Sequence, residues 1–450
     1  MPGRNAIVLR RWAASRRLFR VSALLALAQG VAASVNADME DAFQARPAAV
    51  TPVYQMKRSS YDAPGIETGG FLVTPSFSEN LAGDDNIFVS DRHLAGDLIF
   101  TNGEDLNVQS QWLRDGAQLN FHHAHDVYAN HPAENANTYG VDGNFRFDVG
   151  AEGFLELDAG FLQQPQKRNS AQADSQSLSR PIYNTIPVFA SYTQDLGRWH
   201  NEMKIEISRT AYISQTDAAR NAIQSRFHDR VSFALTGSVW TFLEISYATQ
   251  DWRLNPALRN FDTLTALAGL QVQLTDVVDA ELGAGVLRQH YLFADFGDLI
   301  EPTFSAHLTW NIRPLTTLSA SANQTVTGLE TFCDHTPGNP ACAASPGLSL
   351  AGNLRGALEV TSAQVGLQHE FWHDILGEVR FRFEQDRFDP VDLVDRNYSA
   401  ILGARFLLNQ NLEVDASYVL NTRTANQDIL LYNSGAYQAS TVSLTLKAAL

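Results

Sequence analysis

Cysteine is nearly missing from this sequence: Cys333 and Cys342 are the only two. A cysteine-built scaffold and a multi-thiolate metal centre are therefore excluded. Beyond residue 37 there is also no run of eighteen apolar residues, which excludes a transmembrane helix. Bases are scarce, with 33 Lys and Arg against 49 Asp and Glu. Six of those arginines lie in the first 37 residues, which hold no acid, so 33 less 6 leaves 27 bases against 49 acids beyond them, a net of −22. That excess argues against nucleic acid or an anionic membrane surface as a partner. Helical spacing rarely extends past a few residues, and there is no Gly-x-Ser-x-Gly elbow or phosphate loop. The expectation is a chain without cofactor or catalytic residues.

What is present begins with a targeting signal. Arg4, Arg10, Arg11, Arg16, Arg17 and Arg20 form a basic stretch, "VSALLALAQGVAA" an apolar one, and Val35 and Ala37 supply the small residues of a cleavage site before Asp38. The expected organisation is a cleaved signal peptide at 1–37, a periplasmic segment at 38–67 and one domain at 68–450. The segment "CDHTPGNPAC" is rich in turn-forming residues, which suits a Cys333–Cys342 disulfide closing a surface loop in an oxidising compartment. A metal held by this pair and His335 would need further ligands.

The remainder alternates. "NFRFDVG", "FLELDAGF", "EMKIEIS", "TFLEISYA", "GEVRFRFEQD", "NLEVDASYVL" and "TVSLTLKAAL" all have the two-residue period of strands. Short turns near 112–116, 150–153, 195–198, 237–241, 274–276, 313–315, 371–374 and 409–411 alternate with longer polar stretches such as 164–182 and 328–355. This sorting of loop lengths predicts an all-β fold, a single transmembrane antiparallel up-and-down barrel of about 18 strands with short periplasmic turns and longer extracellular loops. Pro181 and Pro187 weaken the strand signal at 182–196.

Tryptophan placement orients the strands. Trp112, Trp199, Trp240, Trp310 and Trp372 sit at or near short turns, as an interfacial girdle would. Leu412, Val414, Ala416, Tyr418 and Leu420 are then expected to face lipid, with Glu413, Asp415 and Asn421 facing a wet lumen. The same alternation places Asp148, Glu156, Asp158, Glu202, Glu206, Glu244, Asp279, Glu281, Glu378 and Glu384 in the lumen, with Arg146, Lys204, Arg380, Arg382, Arg405, Arg423 and Lys447. The lining most relevant to passage is Glu378, Arg380, Arg382, Glu384, Arg405, Glu413, Asp415 and Arg423. Taken singly, each of these charges is more readily read as pairing with a neighbouring strand. In "FHHAHD" (121–126), His123 and His125 share one strand face and His122 the other; a metal held with Asp126 is weighed against histidines in a wet upper strand.

In "YDAPGIETGGFLVTPSFSENLAGDDNIFVSD" (61–91) and "LLNQNLEVDASY" (407–418), the sequence resembles the beta-barrel porin 2 family of outer-membrane proteins. Leu450 departs from the aromatic residue usual at the last position, so contact with the barrel assembly machinery would rest on Val442, Leu444, Leu446 and Leu450. The resemblance implies an integral outer-membrane protein of a Gram-negative cell, surrounded by outer-membrane lipid and lipopolysaccharide. It also implies a passive conduit for exopolysaccharide or capsular polysaccharide, with a polysaccharide chain and a periplasmic polysaccharide export protein as partners. The alternative is a general diffusion porin for small solutes. A lipid-modifying hydrolase on the barrel wall comes third, and its mark would be a Ser, a His and an acid converging on one face.

Overall fold

The computed structural model describes residues 50–91, 94–170, 173, 180–215, 217–253, 260–274, 277–292, 298–328, 357–389, 393–426 and 435–450. The expected signal peptide at 1–37 and the expected disulfide between Cys333 and Cys342 lie outside the described residues.

A 3-10 turn, Val53–Gln55, precedes the strands. These are β1 (Ile66–Thr68), β2 (Phe71–Asp84), β3 (Asp97–Ser110), β4 (Gly116–Tyr128), β5 (Ala136–Val149), β6 (Gly153–Pro165), β7 (Ile182–Leu196), β8 (Trp199–Tyr212), β9 (Ala222–Ala234), β10 (Val239–Trp252), β11 (Phe261–Leu274), β12 (Val278–Tyr291), β13 (Leu299–Arg313), β14 (Thr316–Gly328), β15 (Ala357–Trp372), β16 (Ile375–Asp389), β17 (Leu393–Asn409), β18 (Leu412–Ala425) and β19 (Tyr437–Ala449). Of the 19 strands, β1 is a three-residue addition, and the other eighteen pair antiparallel in chain order. Pairing of β19 with β2 closes them into a barrel, as the alternation predicts. At this seam β19 covers Ser76 to Asp84 of β2, while β1 covers Phe71 to Val73.

The eight short connections lie at one end of the barrel, together with the start of β2 and the end of β19. Two of them place glycine in the left-handed region, Gly150 at φ 71° and Gly197 at φ 65°, where a side chain would be strained. At the other end, the loop end, the connections are longer. β7 is a full strand despite Pro187. The β6 to β7 register is interrupted at this point, because proline has no N–H for the ladder, and Gly160 lies beside the ring.

The outer wall is a belt of exposed apolar residues such as Leu243, Leu282, Phe381, Leu402 and Leu444. Burial inside is different at the loop end, where the inward Leu287, Tyr291, Leu358, Phe388 and Leu393 are all enclosed. Among the described residues no helix is long and apolar enough to cross a membrane.

Candidate functional site: the charged lumen

Strand alternation places every second side chain inside. On β16, Val379 and Phe381 are exposed outside, so Glu378, Arg380, Arg382 and Glu384 point inward. Arg380 Nη2 lies 2.7 Å from Glu378 Oε1, and Arg382 Nη2 lies 2.8 Å from Glu384 Oε2. Arg405 on β17 forms a two-point pair with Asp415 on β18, at 2.7 and 3.2 Å. Glu413 has Lys447 of β19 at 3.7 Å. All eight lining residues expected from the sequence share the inner face, while Leu412, Val414, Ala416, Tyr418 and Leu420 share the outer one.

Arg423 does more than line the wall. Its Nε donates to Asn397 Oδ1 at 2.9 Å and its Nη2 to the backbone carbonyl of Asn169 at 2.6 Å, leaving it 2% exposed. Asn169 belongs to the loop after β6, six strands around the ring from β18, so this bond carries a loop across the lumen. The same loop is tied at the loop end, where Arg168 and Arg180 both reach the buried Glu134, at 2.5 and 3.2 Å.

The opposite wall is richer in acid. Inward on β5 to β12 are Asp142, Asp148, Glu156, Asp158, Asp195, Glu202, Glu206, Glu244, Asp279 and Glu281, against Arg146, Lys204, Arg226 and Arg230. Arg230 was not among the lining residues expected from sequence. It lies over the Phe242 ring at 3.7 Å and joins Glu244 at 3.3 Å to Glu281 at 2.6 Å. Phe227, Val231 and Phe233 alternate on the outer face of β9 and could have located it, but Asp229 on that same face breaks the pattern. The ring of Phe242 fits because Gly269 faces it; a Cβ there would lie 2.4 Å from the ring.

The turn-end mouth holds a segment whose role the sequence did not disclose. Val53 N–H donates to Thr317 Oγ1 at 2.9 Å, Asn311 Nδ2 to the carbonyl of Thr51 at 3.1 Å, and Arg58 Nη2 to Glu370 Oε2 at 2.7 Å. Val50 and Val53 are buried. Tyr54 sits beside Arg405, and burial, then the nearby Glu378, raises its phenol well above the ordinary range, so it remains a neutral donor. Residues 51–58 of the expected 38–67 segment are thus docked on the lumen wall, while Ile66 and Glu67 belong to β1.

The five tryptophans divide. Trp199, Trp310 and Trp372 are exposed on the outer side of the turn end, and Trp112, also exposed, packs edge-on against Phe71. Trp240 instead pairs in register with the buried Gln271 and shares the inner face with Phe242, so it is not part of an outer girdle. The strand enters one residue out of phase with the turn, which proximity to the turn alone does not disclose. His122 is inward, 2.6 Å from Asp105, whereas His123 and His125 face outward, away from Asp126, which bonds Thr101 inside. Among the described residues no group of three or more His, Cys, Asp or Glu is placed to hold a metal. His123 pairs with Glu104, but no serine bonds to it among the described residues.

A closed antiparallel barrel, apolar outside and charged inside, defines an outer-membrane barrel of the porin class. The sequence matches the family described as Putative beta-barrel porin 2 over residues 58–338 and 351–450, and the chain belongs to that family. No curated protein matches it. The fold is similar to that of Acinetobacter baumannii OccAB3, at 11% identity and TM-score 0.43, covering 85% of this chain and 100% of that one. Pseudomonas aeruginosa OpdO is similar at 12% and 0.43, covering 84% and 97%. Pseudomonas aeruginosa OccK2 (OpdF) in complex with glucuronate is similar at 8% and 0.45, covering 84% and 98%. The barrel assignment stands on the strand pairing rather than on these likenesses.

Proposed function

We propose that this barrel is a diffusion porin for small hydrophilic solutes, set in the outer membrane with its short turns in the periplasm. The observation that carries this reading is the Arg423 to Asn169 bond, which takes a loop across the lumen. The docked segment at the turn end and the enclosed apolar cluster at the loop end narrow the bore further. Such a passage suits single solutes. A polysaccharide conduit, which family resemblance alone implied, would need a bore open along its length. The inner wall from β5 to β12 carries ten carboxylates against four Lys and Arg, so the pore should prefer cations and neutral hydroxylated solutes to anions.

The purified barrel in liposomes should admit small sugars and exclude large dextrans, measured by swelling. A strain lacking the gene should lose small-solute uptake while its secreted polysaccharide is unchanged. Loss of surface polysaccharide with uptake intact would replace this reading by the conduit.

A further inference from the structure

The hydrocarbon-facing belt of a barrel is expected to be apolar throughout its height. On β2, β3 and β4 it is interrupted. Outward residues in order read Phe77, Glu79, Leu81 on β2; Leu106, Glu104, Asn102, Phe100 on β3; and Phe121, His123, His125, Val127 on β4. Each polar group is bracketed along its strand by apolar ones, so the polar groups lie within the belt rather than at its rim. They are also adjacent across strands: Glu79 is in register with Asn102, Asn102 with His125, and Glu104 with His123. Together they form one island.

Its internal bonding is incomplete. His123 Nδ1 lies 2.5 Å from Glu104 Oε2, with the Tyr139 ring stacked on the imidazole at 4.9 Å. Glu104 nevertheless keeps 51% of its side chain exposed. Glu79 is exposed and has no hydrogen-bond or ion-pair partner among the described residues. Acyl chains offer a carboxylate neither donor nor counter-charge, and intramembrane ionisable groups are retained where a protein surface or water receives them.

We propose that the β2 to β4 face docks a second copy of this chain, in a two-fold dimer whose axis runs parallel to the barrel axis beside β3. That operator sets β2 of one barrel against β4 of the other, since an isologous interface presents the same patch from both sides. Glu79 then faces the strand that carries His123 and His125. The patch holds both carboxylates and imidazoles, so the imidazoles of one copy can meet the unpartnered Glu79 of the other. Lipopolysaccharide is a poorer occupant, because its anionic groups lie at the membrane surface and would repel Glu79 and Glu104.

The test uses the full-length protein extracted in mild detergent. Native mass spectrometry should show a dimer. In a Cys333→Ser, Cys342→Ser background, Asn102→Cys, close to the axis, should cross-link to its own copy under oxidation, while Leu282→Cys on β12 should not. Replacing Glu79 and Glu104 with leucine should lower the dimer fraction at least tenfold, with heat-modifiable gel mobility confirming a folded barrel. Should that double variant fail to fold, the position 102 cross-link still decides. A monomeric wild type without that cross-link, or cross-linking at 282 equal to that at 102, overturns the proposal. So does a different protein cross-linked at 102 in intact membranes. None of these outcomes depends on what passes through the pore.

Discussion

Arg423 shows how one side chain can serve both wall and constriction. The acceptors of this enclosed guanidinium include the Asn169 carbonyl and Asn397, and truncation leaves both without their charged donor. Arg423→Ala should cost about 1–3 kcal/mol in urea unfolding of the reconstituted barrel. It should also raise single-channel conductance by freeing the loop; unchanged conductance would show that the loop does not narrow the pore. Asp298, outside the strands, accepts from His290 at 2.7 Å and from Arg288 at 2.8 Å, and these bonds hold its carboxyl below the usual range. A depressed folded value means that its stabilising contribution is present above the ordinary carboxylate pKa and is lost as the pH falls through the depressed one. The protection factor of the Leu299 amide, its exchange relative to an unstructured chain at the same pH, should therefore fall on acidification, and Asp298→Asn should abolish that acid response. The inward phase of the eight charges on β16 to β18 was legible because a period of two needs only neighbouring letters. Trp240 and Arg230 were not, since the phase of their strands depends on a turn and on the exception at Asp229.

At the level of elements, the strands were read well wherever one face is uniformly apolar, and poorly where a backbone group is missing. β7 looked broken by Pro187, yet the ladder tolerates one lost donor with Gly160 alongside the ring. The docked segment 50–61 was illegible for a different reason. Its partners lie about three hundred positions away, at Gln368 and Glu370 for example, and no local pattern reports such contacts. Arg58→Ala should leave Glu370, which is 7% exposed, without its guanidinium at a cost of about 3 kcal/mol. The segment should then undock, seen as new protease sensitivity near residue 58 and a larger conductance. Resistance to protease equal to wild type would show that the other contacts suffice. Gly269→Val should crowd Phe242 and with it the Arg230 bridge, lowering the yield of heat-modifiable, folded barrel.

For the whole molecule, the proposed porin role and the acid-rich lining together predict a selectivity that no single pair determines. In a potassium chloride gradient the reversal potential should report potassium favoured several-fold over chloride, falling as ionic strength rises and screening shortens. An anion preference would require the lining charges to be neutralised by pairing or protonation. The barrel itself was legible from loop lengths and alternation together, while the narrowing of its bore depends on tertiary contacts and was not. The seam has a kinetic meaning of its own. β19 reaches only from Ser76 to Asp84 of β2, and the three residues of β1 pair with Phe71 to Val73, which leaves Thr74 and Pro75 in neither ladder. A ring has no free edge until one junction opens, and the seam is among the shortest zippers to undo: β19 and β2 share nine register pairs and β13 and β14 eight, against eleven or more at every other junction of the barrel. Transient opening, and the last step of closure when the chain is threaded into a bilayer, should both occur there, with β19 amides exchanging before those of β16 although the two strands lie in one sheet.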